Sequence, residues 1–290
     1  QVVKITGGAQ TVIGKGPVAT SRPLGSTLVQ VVNKGGSFSS PGNRFRYGFI
    51  EVTPVAGGNT LNAVNKLRLH DEYLYGIAEV PSSWPDASLQ AQALAARTYA
   101  LSKISSGIRA SCNCHLDDGY GPFADQTFVG WSKQSGAQGD RWVNAVNATH
   151  ASPTTGLAIL YNGQPIKAFY SASNGGASQS SADVWGGALP YTVSVPDPYS
   201  LDPSNPDSSW TKSVTQAEVS KAFGVSGVWA LTVTERHASG AVKTIAATLA
   251  DNTVVTKTGG EMRTALGLKS SFVNAIDGNV GAAFNAPVAP

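Results

Sequence analysis

Tyr73-Leu-Tyr-Gly76-Ile-Ala-Glu79-Val-Pro81-Ser-Ser-Trp84-Pro85-Asp86, running into Ala87-Ser-Leu89-Gln-Ala-Gln-Ala93-Leu-Ala-Ala96-Arg97-Thr98-Tyr99-Ala100-Leu101, is the stretch whose reading decides the fold. Its second half predicts a helix over residues 87–106. Leu89, Ala93, Ala96, Ala100 and Ile104 recur at helical spacing and line one face. Asp86 or Ser88 is placed to cap the start, Pro85 is tolerated there, and Gly107 is placed to end it. The alanines give high propensity and allow close packing. The first half puts one carboxylate, Glu79, in an apolar and aromatic turn just ahead of that helix. Desolvation raises a carboxyl pKa, which suits Glu79 to general acid work. The competing reading is a solvated turn glutamate. Arg97 falls on the shoulder of the apolar stripe, where a guanidinium calls for an acidic or sugar-oxygen partner. An ordinary surface arginine paired to a neighbour is the alternative.

Working outward, composition narrows the function classes. Asp plus Glu total 18 of 290 residues and charged residues are only 13%, so the surface is amide- and hydroxyl-rich rather than ionic. With no basic run and a net charge of +3, nucleic acid is not expected as a partner. No stretch approaches a membrane span or reads as a signal peptide, and the start at Gln1 is read as a mature or trimmed product. The length allows one large domain or two intimate ones.

Three regions are expected. Residues 1–43 read as an extended or β arm with short apolar runs. Residues 44–276 read as the main domain, with a core over 44–200 and a β-rich part over 210–276. Residues 277–290 read as a tail. Within the main domain, strands are expected at 45–55 and 61–69, and residues 107–140 are loop-rich around Gly119, Gly121 and Pro122. A second helix spans 142–150. Asn162-Gly163 is a two-residue turn signal joining strands 157–161 and 165–171. Residues 196–209 read as a long surface loop. Thr215-x-x-Glu218 is a capping box opening a helix to Phe223. Strands follow at 229–236 and 242–249, then a short helix from Glu261 to Leu266. The fold class is therefore α+β: mixed sheets packed around the helix of residues 87–106, with strands walling an active-site cleft.

Cys112-Asn-Cys114 precedes His115 and leaves three readings: a close-spaced disulfide, free thiols, or a zinc site. The zinc reading lacks an apparent fourth ligand, so disulfide or free thiols are preferred, and no metal or other cofactor is expected. Ser209-Trp-Thr-Lys212, Lys257-Thr-Gly259 and Ser111-Cys-Asn113 echo a serine peptidase set, but their order is wrong. Neither a zinc-protease His-Glu-x-x-His nor a Gly-x-Ser-x-Gly elbow occurs.

Leu89 to Tyr99 matches a known block almost position for position. With Glu79 ahead of it, the block resembles the SpoIID/LytB family, the sporulation protein D and amidase-enhancer group of bacterial cell-wall proteins. The interval from Gly76 to Glu79 is two residues shorter than the common form. Further pieces resemble the family in order: Arg46-Tyr47-Gly48-Phe49; Asp125-Gln126-Thr-Phe128-Val-Gly130; Thr155-Gly156; Phe169-Tyr170-Ser171-Ala-Ser173-Asn174-Gly175-Gly176. Val184-Trp185-Gly186, Leu189-Pro190-Tyr191 and Gly259 to Phe272 follow. Some relatives carry zinc ligands near the cysteines, but Asp125 stands where those have Cys.

The resemblance implies a lytic transglycosylase that cuts MurNAc–GlcNAc bonds of peptidoglycan with one acid/base glutamate, leaving 1,6-anhydroMurNAc ends. It implies a secreted or cell-wall location. The alternative is a non-catalytic, wall-binding enhancer of an N-acetylmuramoyl-L-alanine amidase, which would make that amidase a partner. Glu79 and Arg97 are the implied catalytic residues, with Arg97 steering a sugar N-acetyl group, a lactyl carboxylate or Glu79 itself. Tyr170 and Tyr191 match family active-site positions and are expected to converge on Glu79. Tyr170, Tyr191 and Trp185 would stack on sugar faces, Ser173 and Gly175 would present polar and backbone groups, and Gln126 would hold a sugar amide or orient Arg97. Core packing, tight turns and capping are the competing readings for these residues.

Overall fold

The computed structural model describes residues 44–54, 61–118 and 124–277, with strand backbone at 2–6, 9–14, 20–23 and 28–31. Gly119, Gly121, Pro122 and the tail beyond Asp277 lie outside the described residues. The chain divides into two compact units between Tyr170 and Ser171. Both combine short helices with small antiparallel sheets, an α+β construction.

In the first unit, β1 (Val2–Thr6), β2 (Ala9–Gly14), β3 (Thr20–Pro23), β4 (Leu28–Val31) and β5 (Arg44–Phe45) precede β6 (Phe49–Pro54) and β7 (Leu61–Lys66). They form two sheets, ordered β2-β1-β4-β5 and β3-β6-β7. The strand expected over 45–55 is broken at 46–48, where Gly48 takes a φ of 65° that few residues adopt. The strand expected to Leu69 stops at Lys66, and residues Leu69–Tyr73 wind into a π-helical turn. Its own side chains drive this. Glu72 accepts from the Arg68 amide at 2.9 Å and Asp71 binds the Arg68 guanidinium at 2.7 Å, in competition with ladder pairing.

Helix α1 (Asp86–Ile104) follows as the spacing predicts. Leu89, Ala93, Ala96 and Ala100 are fully buried. Pro85 occupies the N-cap with no side-chain cap, because Asp86 turns outward to Arg141 at 2.6 Å. The span expected as loop holds α2 (Trp131–Ser135), and α3 (Gly139–Ala148) begins three residues before Trp142. α1 packs against α3 around Leu74, Ile77, Phe128, Trp142 and Val146. Burying a residue such as Leu89 contributes about 2 kcal/mol. The fully buried Trp142 keeps its indole satisfied by donating to the Leu74 carbonyl at 2.8 Å. β8 (His150–Ser152) pairs with β9 (Thr155–Gly156). β10 (Leu160–Tyr161) and β11 (Gln164–Pro165) flank Asn162 and Gly163, whose φ values of 50° and 75° suit a type I′ turn. The expected turn is present on strands of only two residues each.

In the second unit, α4 (Ser181–Trp185) and a 3-10 turn at Pro198–Leu201 precede α5 (Gln216–Phe223). The Thr215–Glu218 capping box opens α5 in full. β12 (Val228–Arg236), β13 (Val242–Leu249) and β14 (Val254–Thr258) form an antiparallel meander, β14 being additional to the expected strands. α6 (Gly259–Leu266) starts at a second capping box, Thr258 with Glu261, one half-turn before its expected start. Val219, Phe223, Val242, Ile245, Met262 and Leu266 make this unit's core. Among the described residues no helix is long and apolar enough to cross a membrane.

Candidate active site

Glu79 is held by a short pairing between its own turn and residues 127–129. The Ala78 amide donates to the Thr127 carbonyl at 2.9 Å and the Val129 amide to the Gly76 carbonyl at 2.8 Å, framing an Ile77–Phe128 bridge. Gly76 is required here: a Cβ would enter the Phe128 ring. Tyr73 stacks on the same ring at 5.5 Å and 5° between planes. The turn therefore sits on the hydrophobic core that α1 and α3 build. Its half-buried carboxylate accepts the Thr127 amide at 2.6 Å.

A directed chain of hydrogen bonds reaches Glu79 from the interior. The Tyr73 hydroxyl donates to Gln126 Oε1 at 2.9 Å, which fixes the amide. Gln126, 2% exposed, then donates through Nε2 to the Tyr170 hydroxyl at 3.0 Å and, more weakly, to the Ala96 carbonyl at 3.4 Å. With its oxygen engaged, Tyr170 turns its proton to the Glu79 carboxylate. Burial raises the Tyr170 phenol above its ordinary range. The Gln126 donation opposes this, and the charge of Glu79 and the hydrogen bond to it add to it. Burial likewise raises Tyr73, with Tyr170, Asp125 and Glu79 contributing. Both phenols stay protonated and act as donors.

Asp125 anchors the neighbouring position. Its carboxylate, 3% exposed, accepts from Lys103 at 2.8 Å, Arg109 at 2.6 Å and the Asp117 amide at 2.9 Å. Burial alone would raise its pKa; the hydrogen bonds from Lys103 and Asp117 and the two positive charges hold it below its ordinary value. Cys112 and Cys114 form a disulfide, and Arg109 donates its amide to the Cys114 carbonyl at 2.9 Å. The pairing takes both sulfurs out of the ligand set considered for zinc. Among the described residues no cluster of three His, Cys, Asp or Glu is arranged to hold a metal ion.

Arg97, grouped with Glu79 as catalytic in the sequence reading, is placed differently. It is 2% exposed, and its guanidinium donates to the carbonyls of Leu157, Thr149 and His70 at 3.1, 3.2 and 3.3 Å. Burial lowers its pKa to about 10, and no carboxylate lies within ion-pair distance among the described residues. Gly156 makes room, since a Cβ there would overlap Nε, Cζ and Cδ of Arg97. The partner expected to be acidic or a sugar oxygen is main-chain carbonyl instead: a one-residue helix shoulder became the wall against the β8–β9 hairpin.

Glu79, Gln126 and Tyr170 are thus brought together, joined by Tyr73, to which the sequence reading gave no role. Nothing in a single sequence marks a tyrosine in an aromatic-rich turn as a hydrogen-bond relay. The remaining candidates belong to the second unit. Ser173 Oγ accepts from Asn205 at 2.9 Å, and Gly175 lies against the Phe272 ring where a Cβ would clash. Trp185 closes α4 with 62% of its surface exposed, and Tyr191 is half-buried.

Residues 57–155 match the SpoIID family model, described as Stage II sporulation protein. That segment is similar to the SpoIID/LytB family. The chain is 30% identical over 159 residues to a Stage II sporulation protein D of Bacillus subtilis, covering 53% of this chain and 46% of that protein. It is also 30% identical over 165 residues to an Amidase enhancer of the same organism, covering 51% of this chain and 20% of the relative. An uncharacterized Brachyspira hyodysenteriae protein is 29% identical over 152 residues, 51% of this chain and 37% of that one. The chain therefore spans less than half the length of these relatives.

Proposed function

We propose that the chain is a peptidoglycan lytic transglycosylase in which Glu79 is the acid and then the base. The observation that carries the reading is the half-buried Glu79 carboxylate, fixed by the Thr127 amide and Tyr170 inside the family-matched segment. Protonated Glu79 gives its proton to the glycosidic oxygen, and the bond from that oxygen to MurNAc C1 breaks. The resulting carboxylate takes the proton of the MurNAc C6 hydroxyl, whose oxygen closes on C1 as a 1,6-anhydro ring. One carboxyl group suffices, unlike hydrolysis by a carboxylate pair. Tyr170 and Gln126 keep Glu79 aimed through both steps. Arg97 supports the site by holding the carbonyls of His70, Thr149 and Leu157, and Ser173, Gly175, Trp185 and Tyr191 are glycan-contact candidates of the second unit by itself. The chain works outside the cytoplasm on cell-wall glycan.

Replacing Glu79 by Gln keeps shape and removes the transferable proton. Release of anhydro-muropeptides from purified glycan, followed by mass spectrometry, is expected to fall at least roughly 100-fold. An unchanged rate would remove Glu79 from the acid role. The Amidase enhancer relative favours a second reading, a wall-binding activator of an amidase. That reading is supported if the wild-type chain yields no anhydro ends yet accelerates an added cell-wall amidase.

A further inference from the structure

A pocket of about 450 Å³ opens between residues 78–83 and 129–138, lined among others by Ala78, Pro81, Ser82, Ser132 and Lys133. It shares the Glu79 turn, because Ala78 and Pro81 on its wall bracket Glu79 in the chain. Its size is that of a small-ligand site.

The informative residue is Lys133. Its ammonium donates to the Val80 carbonyl at 2.6 Å and lies 5.3 Å from the Trp142 ring centroid. One carbonyl dipole and one aromatic face are its described partners, and no carboxylate lies within ion-pair distance among the described residues. Other cations of this unit differ: Arg141 has Asp86 at 2.6 Å, Arg68 has Asp71 at 2.7 Å and Lys103 has Asp125 at 2.8 Å. Burial lowers the Lys133 pKa, so its surroundings penalise the charge without balancing it. An ammonium carries three donors, and the Val80 bond uses one. Hydroxyls of Ser82, Ser83 and Ser132 add polar groups to the same wall. A half-buried cation facing a cavity without an anion is matched by a ligand that brings a carboxylate.

Resting on the glycan reading above, we infer that this pocket is the subsite for the carboxylate-bearing substituent of the muramyl residue, with Lys133 as its counter-ion. Two sources share that chemistry: the lactyl carboxylate of a peptide-free strand and the carboxylates of a stem peptide. Lys133 sets which muramyl residues are seated beside Glu79, and the reaction itself stays with Glu79.

The test measures binding by the full chain carrying Glu79→Gln, so that bound glycans survive. Three probes are titrated: neutral chito-oligosaccharide, peptide-free glycan tetrasaccharide and stem-bearing tetrasaccharide. Lys133→Gln is expected to weaken binding of a carboxylate probe roughly 10- to 100-fold, and neutral binding less than about 2-fold. Lys133→Arg is expected to keep affinity within about 3-fold, and Ala137→Trp, which adds bulk to the pocket wall and leaves the Lys133 residue unchanged, to reproduce the selective loss. Loss confined to the peptide-free probe identifies the lactyl group; loss confined to the stem-bearing probe identifies the peptide. Equal loss for all three probes, or no loss, overturns the assignment and leaves the Glu79 reading standing. Failure of the parent chain to bind any probe overturns both.

Discussion

Replacing Arg97 by Met separates support of the site from contact with substrate. The guanidinium reaches four carbonyls, the fourth being Val146 at 3.5 Å, and three of them have another donor. Thr149 O accepts the Leu157 amide at 2.9 Å, His70 O accepts from His150 at 3.0 Å, and Val146 O accepts the Thr149 hydroxyl at 2.7 Å. Only Leu157 O loses its sole described donor. One orphaned carbonyl costs about 1–3 kcal/mol, and losing the charge-assisted bonds brings the expected destabilisation to about 2–4 kcal/mol. Met keeps the stem packed and spares the burial of a charge, which is why the figure is not larger. Peptide-resolved hydrogen exchange reads this locally, with β12–β14 as the internal reference. At tenfold per 1.4 kcal/mol, protection over residues 146–159 should fall about 30- to 700-fold. Gly156→Ala, which drives a methyl into the guanidinium, should act in the same direction. A change below about 3-fold in that segment, together with collapse of glycan cleavage, would refute the supporting role and return Arg97 to the substrate.

Gln126→Leu breaks the relay between Tyr73 and Tyr170; with a wild-type urea midpoint as the control for folding, kcat should fall roughly 10- to 100-fold by mispositioning Glu79, and an unaltered kcat would exclude the relay from function. Asp125 has a folded pKa below its ordinary 3.8, so its stabilisation is present above that value and lost as pH falls through the lower folded one. Wild type should therefore lose more stability than Asp125→Asn between pH 5 and pH 2 (roughly the window for one depressed carboxylate), and parallel losses in urea titrations would contradict this. Reducing the disulfide opens a three-residue ring, worth about 1.5 kcal/mol by loop-closure entropy, and should also free Arg109 from Asp125. A Cys112→Ser, Cys114→Ser chain with unchanged stability and exchange at 109–125 would disprove that link.

Elements written in local chemistry were legible in the chain. The spacing of Leu89, Ala93, Ala96 and Ala100 specifies α1 and its buried face. Thr215-x-x-Glu218 specifies the start of α5, and Asn162-Gly163 its turn, because each signal is complete within a few residues. The same capping signature at Thr258 and Glu261 opens α6 and was equally readable there. Strand lengths were not, since they depend on partners elsewhere, as β10 and β11 illustrate with two paired residues each. The sequence by itself determined that a glutamate precedes an alanine-rich helix and that this block resembles the SpoIID/LytB family. Only the tertiary structure decided what surrounds that glutamate. Gln126 lies 47 residues and Tyr170 91 residues further along the chain than Glu79, and hydrogen bonds over such separations leave no local pattern. Arg97 shows the same limit from the other side: its helical position put it on the shoulder of the apolar stripe and left a surface arginine open, and the carbonyls that satisfy it belong to segments whose approach only packing against α1 fixes.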